Sequence, residues 1–288
     1  MSCPGPHLPR RRLLGLLGLG AVIVATGAAA GGSSAGARSG PVVAERPPPP
    51  AQPPPPPPPP SPPPPASEAP LPDGPTVFRA GPSTTNQIAL TIDDGYCADC
   101  VAAYTAFAAR TGICLTFSPN GIYGPAWEPQ AATLAPLVER GQLQIINHTF
   151  THRGLVGAGT SVVREELERN EAWIGTTFCT TARPWWRPPY GQFDDDLQET
   201  AADLGYDRLV MWNGSYADAQ PVTPEFLLAQ ASSAFRPGGI VLGHANHPTV
   251  LSLFGPLVEM LHQRDLQPVT LRALLNGPGG QRDPHAGG

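Results

Sequence analysis

The sequence predicts an α/β fold on a parallel sheet, and three observations carry that prediction. From about residue 75 onward, short strand-like apolar runs alternate with stretches of helical composition, the order that β/α units produce. Glycines close several of the helical stretches and act as stop signals. The polar residues able to do chemistry stand just after strand ends, where such folds place their sites. No repeat of fixed period interrupts the pattern.

The elements follow in order. A first strand is expected over 88–92, running into Asp93-Asp94-Gly95. Residues 101–110 are helical in composition and end at Gly112, before a second strand over 113–117. A helix over 134–140 is closed by Gly141, and the strand 143–146 leads into Asn147-His148. An amphipathic pattern marks 162–174 as a helix, with Arg164, Glu165, Glu166, Glu168 and Arg169 as its charges. Residues 197–204 form another, followed by Gly205. Late strands are expected over 209–212, over 240–242 and at Val269.

The chain has 288 residues and no lysine, with a formal net charge of −5. Its first 74 residues hold 5 arginines and 3 acids, so the remainder is formally −7. An acidic domain without a basic stripe excludes nucleic acid as a partner, because phosphate binding is largely electrostatic. Residues 1–30 read as an export signal. Arg10, Arg11 and Arg12 precede an apolar run over 13–25, and Ala28-Ala29-Ala30 offers a small-residue cleavage pattern. The arginines suit a twin-arginine signal or an ordinary basic n-region. Left uncleaved, the run would act as a membrane anchor, the only membrane contact expected. Residues 31–74 form a disordered proline-rich linker, with 16 prolines in the 19 positions of 47–65. At ~3.1 Å per residue, that stretch makes an extended rod of roughly 60 Å. The domain proper spans 75–280, and 281–288 is a flexible tail. An export signal and a stiff spacer place the protein outside the cytoplasm, secreted or in the cell envelope. Cys97, Cys100, Cys114 and Cys179 then suggest disulfides, with three complete pairings open.

Four segments carry candidate chemistry. Asp93-Asp94-Gly95 alone would be read as a turn. His148 and His152, four apart, face one way if their segment makes a helical turn. With one of the aspartates they make a two-histidine, one-carboxylate set, which suits a hydrolytic metal or a non-haem iron oxygenase equally. Trp185-Trp186-Arg187-Pro188-Pro189-Tyr190-Gly191 is stiffened by two prolines, which fix the direction of Arg187 and of the Tyr190 amide. His244 stands just past an apolar strand, where a lone histidine is more often structural.

Taken in order, Thr91-Ile92-Asp93-Asp94-Gly95, His148-Thr149-Phe150-Thr151-His152, Arg187-Pro188-Pro189-Tyr190-Gly191 and Leu242-Gly243-His244 resemble the NodB-type polysaccharide deacetylases of carbohydrate esterase family 4. The resemblance covers about 86–275 and implies a distorted (β/α)7-type barrel. It also sets the oxygenase aside, since that chemistry requires neither a second adjacent carboxylate nor the Arg-Pro-Pro-Tyr segment. Asp94, His148 and His152 would hold one divalent metal, zinc or a substitute such as cobalt. Asp93 would be the general base acting on water activated by that metal, and Arg187 would hold Asp93. The Tyr190 N–H would support the oxyanion, and His244 would protonate the leaving group. The family's Asp-x-x-Asp-Trp stretch is degenerate here. Asp218 falls where the acid orienting His244 is expected, ahead of Tyr206 or Asp207. Ala219 replaces the tryptophan that usually lines the acetyl pocket, and Ala245 stands where an acid often follows the histidine. His247 is a groove residue without an assigned role. The expected activity is deacetylation of an acetylated polysaccharide by a monomer. The alternatives are hydrolysis of another non-peptide C–N bond and non-catalytic wall binding.

Overall fold

Alternation along one strand sets the architecture. In β2 (Gln87–Asp94), Ile88, Leu90 and Ile92 join the large cluster packed under the helices. Ala89 joins a second, inner cluster with Phe78, Ile146, Trp185, Val210 and Ile240. Successive side chains point to opposite faces of a strand, so Thr91 and Asp93 continue the inner row upward from Ala89. The structure, a computed structural model, describes residues 75–276. The expected export signal, linker and flexible tail lie outside the described residues.

After β1 (Thr76–Phe78) and β2, the chain runs through α1 (Ala98–Thr111), β3 (Leu115–Pro119), α2 (Gly124–Trp127), α3 (Ala131–Glu139), β4 (Leu143–Ile145) and α4 (Thr160–Phe178). Then come β5 (Trp185–Trp186), α5 (Asp195–Asp203), β6 (Arg208–Val210), β7 (Gly214–Ser215), α6 (Pro224–Ala234), β8 (Ile240–His244), α7 (Phe254–Gln263), β9 (Gln267–Val269) and α8 (Leu271–Asn276). One sheet has the order β4-β3-β2-β8-β7, with β9 also on β2, and the other the order β1-β6-β5. Every pairing is parallel. A parallel bridge between Asn147 and Trp186 joins the sheets on one side. On the other side Gly81 N, just past β1, donates to Gly238 O, just before β8, while Asn213 N to Ile240 O extends the β7–β8 ladder. The result is the distorted β/α barrel that the motifs imply. Its inner cluster is completed by Leu271, Leu274 and Leu275 of α8, opposite the strand ends that carry the polar residues.

The helices extend the sequence-based bounds by capping. Helix α1 begins at Cys97, whose sulfur accepts from Cys100 N, and ends at left-handed Gly112. Helix α5 starts earlier than expected because the Asp194 carboxylate caps Leu197 N. Pro136 lies inside α3. Trp185-Trp186 forms the short strand β5. Complete pairing of the four cysteines does not occur: Cys97 bonds Cys100, whereas Cys114 is a free thiol whose pKa burial raises. An even count cannot show which sulfurs come within bonding reach. Among the described residues, no helix is long and apolar enough to cross a membrane.

Asn147 secures the junction between the sheets. Fully buried, it donates through Nδ2 to Leu167 O and Tyr206 Oη, and its Oδ1 accepts from Thr149 N and Asn170 Nδ2. Replacing it with Leu leaves those groups without their partner, at a cost of about 3 kcal/mol. Urea denaturation of Asn147→Leu should therefore show a lower midpoint at unchanged slope.

Candidate active site

Strand β2 delivers two carboxylates to one place by a change of backbone direction. Asp93 lies opposite Ser118 on one side and His244 on the other. Asp94 has φ 66° and Gly95 φ 104°, so the chain leaves the strand at that point. A side chain at Gly95 would overlap the Trp127 indole, whose Nε1 donates to Asp94 O at 2.9 Å. Left-handed backbone recurs at Thr149, His152, Tyr190 and Ala217. Each such non-glycine residue stores on the order of 1–3 kcal/mol and persists only where its surroundings over-determine it.

Arg187 is completely buried. Its Nη1 donates to Asp93 Oδ1 at 2.7 Å and to Thr91 Oγ1 at 2.9 Å. Its Nε donates to Val210 O at 2.9 Å, and Nη2 to Met211 O at 3.3 Å. The guanidinium lies 5.6 Å from the Trp212 ring centre. Its backbone carbonyl accepts from His148 Nδ1 at 2.8 Å. A carbonyl can only accept, so Nδ1 carries the proton and Nε2 is left as a ligand.

The two histidines converge without a helical turn, contrary to the condition their spacing sets in the sequence. Thr149 and His152 take φ 68° and 58°, and side chains from elsewhere hold the loop. Asn120 Nδ2 donates to His148 O and Thr149 O. The Glu166 carboxylate accepts from Phe150 N, Thr151 N and Thr151 Oγ1. As a result, His148 Nε2 lies 3.3 Å and His152 Nε2 3.2 Å from Asp94 Oδ1, with His148 Nε2 also 3.6 Å from Asp93 Oδ2. One ligand atom from each of Asp94, His148 and His152 lies within 4.8 Å of the others. Asp94 Oδ1 is buried and has no hydrogen-bond donor. An orphaned carboxylate oxygen facing two imidazole nitrogens fits a divalent metal with open positions.

The charges are strongly coupled. Burial opposes ionisation of Asp94, yet the neighbouring His148, with His152 and His244, holds its carboxyl far below the usual range. Burial works against the His148 cation, but Asp93 and Asp94 raise its pKa overall. Burial and the neighbouring His148 lower that of His152.

Across from this cluster, His244 Nδ1 bonds Asp218 Oδ1 at 2.9 Å, and His244 N donates to Asp218 Oδ2 at 3.2 Å. Burial disfavours the His244 cation. The Asp218 hydrogen bond and the charges of Asp93, Asp218 and Asp94 outweigh it and raise the pKa. Tyr206 and Asp207 serve elsewhere: Tyr206 Oη donates to Glu171 at 2.6 Å, and Asp207 pairs with Arg208. Tyr190 is 64% exposed, its ring centre 4.7 Å from that of His152. Ala219 is exposed, whereas Ala245 is buried and donates from N to Asp93 O.

Asn246 is a site residue that sequence reasoning missed. Its Nδ2 donates to Asp94 Oδ2 at 2.7 Å, and its Oδ1 accepts from Gly95 N at 3.2 Å. The available signal was its place two residues past His244. Asn120 and Glu166 were missed as loop anchors because their partners are mostly backbone groups.

Fold and site together define a barrel hydrolase with a candidate metal centre. Residues 80–209 match the family model for polysaccharide deacetylases. A chitooligosaccharide deacetylase of Bradyrhizobium sp. (strain ANU 289) is 29% identical over 167 residues, 58% of this chain and 74% of that relative. A solved peptidoglycan N-acetylglucosamine deacetylase superposes with TM-score 0.63 at 18% identity, covering 72% of this chain and 95% of its own. A family 4 carbohydrate esterase pseudoenzyme from Bacillus anthracis superposes with TM-score 0.61 at 20% identity, covering 69% of each chain. The structural likenesses establish the fold. Over residues 80–209 the chain is therefore similar to the polysaccharide deacetylases, and its fold is that of the carbohydrate esterase family 4 structures.

Because Asn246 orients the candidate ligand Asp94, Asn246→Ala should weaken any divalent-metal binding here, probed with zinc, by about tenfold or more. Asp94→Ala should abolish it. Competition titration against a chromophoric chelator measures both.

Proposed function

We propose that this domain removes acetyl groups from a polymer outside the cytoplasm, with peptidoglycan N-acetyl sugars as first substrate and chitin or xylan next. The names of the relatives support the chemical class: one acts on chitooligosaccharides, and one structural neighbour on peptidoglycan N-acetylglucosamine. The export signal and stiff linker read from the sequence favour a wall polymer. Every group invoked comes from one chain, which suits a monomer.

The observation that carries the reading is the division of Asp93. One oxygen is bonded to buried Arg187, and the other faces the Asp94–His148–His152 cluster. Asp94, His148 and His152 would hold one divalent metal, zinc or cobalt. When bound, that metal supplies Lewis-acid polarisation of the acetyl carbonyl and lowers the pKa of water. Asp93 takes a proton from the attacking water while Arg187 fixes its direction. The water oxygen bonds to the acetyl carbon. The Tyr190 N–H supports the oxyanion. His244, whose cation Asp218 favours, gives its proton to the departing sugar nitrogen or oxygen as its bond to the acetyl carbon breaks. Acetic acid leaves with the water oxygen and the second water proton, which it releases to solvent as acetate, and Asp93 has gained the one proton that His244 has lost.

The test is acetate release from peptidoglycan, chitooligosaccharides and acetylxylan, with chelator and with added zinc. Chelation should abolish release from one of these polymers, and Asp93→Asn should lower kcat by about 10²–10⁴-fold. Tight zinc binding with no acetate from any of them would overturn the reading in favour of another C–N bond, the outcome that exposed Ala219 favours.

The pH profile gives a second test. Asp218 raises the His244 pKa, so the acid form persists to higher pH and is lost as pH rises through that value. Asp218→Asn removes both the charge and the charged acceptor. The alkaline limb of kcat should therefore move to lower pH.

A further inference from the structure

Beside the metal cluster, an exposed aromatic side chain is held unusually firmly. Tyr96 follows Asp94 by two positions and is 48% exposed. Its backbone neighbours are pinned on both sides: Gly95 N donates to Asn246 Oδ1, and Cys97 N donates to Ala245 O. Cys97 is also tied into the start of α1 by its disulfide to Cys100. The Tyr96 hydroxyl bonds His247 Nε2 at 2.8 Å. The rings of His247 and Tyr123 meet it at steep angles, with centres 5.6 and 5.7 Å away, and neither stacks parallel on it. Next to Tyr123, Ile122 is also exposed. None of these groups takes part in the chemistry proposed above.

We infer that Tyr96, braced by His247 and Tyr123, is a platform for a neutral pyranose ring of the polymer next to the one being deacetylated. This rests on the reading of the site as a polysaccharide deacetylase and extends it to substrate positioning. A pyranose has an apolar C–H face and a rim of hydroxyls, so it matches an aromatic face bordered by hydrogen-bonding groups. Tyr96, Tyr123 and Ile122 bring no charge, which suits a neutral sugar better than an anionic one. A tyrosine has few torsions to restrain, and here the hydroxyl and both flanking amides are already bonded. The ordering cost of binding is therefore largely met before the sugar arrives. Two residues of chain span at most about 7 Å, so Tyr96 lies close enough to Asp94 to meet a ring neighbouring the reacting one.

The test uses the full chain with zinc and chitooligosaccharides of increasing length. Tyr96→Ala should raise KM for long oligomers by about tenfold, with kcat within about twofold and zinc affinity retained. Tyr96→Phe, which keeps the ring, should lose about threefold or less. A fall in kcat with KM unchanged, or a loss of zinc affinity, would overturn the platform and make Tyr96 a brace for Asp94. If Tyr96→Ala does not fold, His247→Ala removes the partner of the hydroxyl and should raise KM in the same length-dependent way; unchanged KM overturns the inference. Should the wild-type chain release no acetate, calorimetric binding of the same oligomers separates the two readings. Weaker binding by Tyr96→Ala then keeps the platform while the deacetylase reading falls. Equal binding by variant and wild type, or none by either, overturns the platform.

Discussion

The buried ion pair between Arg187 and Asp93 is the constraint on which the site depends. A guanidinium removed from water costs several kcal/mol unless its donors are met. Arg187 meets the cost with acceptors on β2 and at the end of β6: Asp93, Thr91, Val210 O and Met211 O. Thr91 passes the network on, donating to Val241 O of β8. The Arg187 backbone carbonyl fixes the tautomer of His148. One arginine thus joins the strands, orients the Asp93 carboxylate and leaves His148 Nε2 without a proton. Lysine has the charge but not the planar fork that reaches several acceptors at once.

Around that pair, the site is assembled from backbone that the chain would not adopt unaided. Asp94, Thr149, His152, Tyr190 and Ala217 all lie in the left-handed region. Several of these positions have an identifiable restraint. Trp127 and Asn246 hold Asp94 and its turn, and Asn120 and Asn147 hold Thr149. Glu166 bonds the two amides just before His152. These anchors come from elements on different sides of the barrel. The strain at Asp94 and His152 is therefore a property of the closed fold and cannot be reproduced by the motifs alone.

This explains what could be read in advance. The alternation of β2 and the run of apolar segments ending in polar residues are local, so the β/α order and the positions of Asp93, Asp94, His148, Arg187 and His244 were legible. The motif order then brought in Asp218. Asn246 was not legible, because it meets Asp94 across 152 residues of sequence. Helix α6 opens with Pro224 after the Thr223 cap, and proline there reads as a break as readily as a start. Helix α8 has only six residues, too few to show a period. Cys114 defeated counting for a geometric reason: pairing needs a second sulfur at bonding distance.

Hydrogen bonding finally separates three aspartates that composition cannot tell apart. Asp218 has both oxygens engaged by His244, one by the ring and one by the backbone amide, so it can hold that imidazole and do little else. Asp94 has Oδ2 held by Asn246 and Oδ1 left without a donor between two imidazoles, the arrangement of a ligand. Asp93 has one oxygen on a cation that cannot give up its charge and the other turned toward the cluster, so its orientation survives while its second oxygen remains available to a proton. Environments that push like groups into unlike roles are how one site holds a base and an acid together. Here the six carboxylate oxygens, and the partners each has or lacks, make that division.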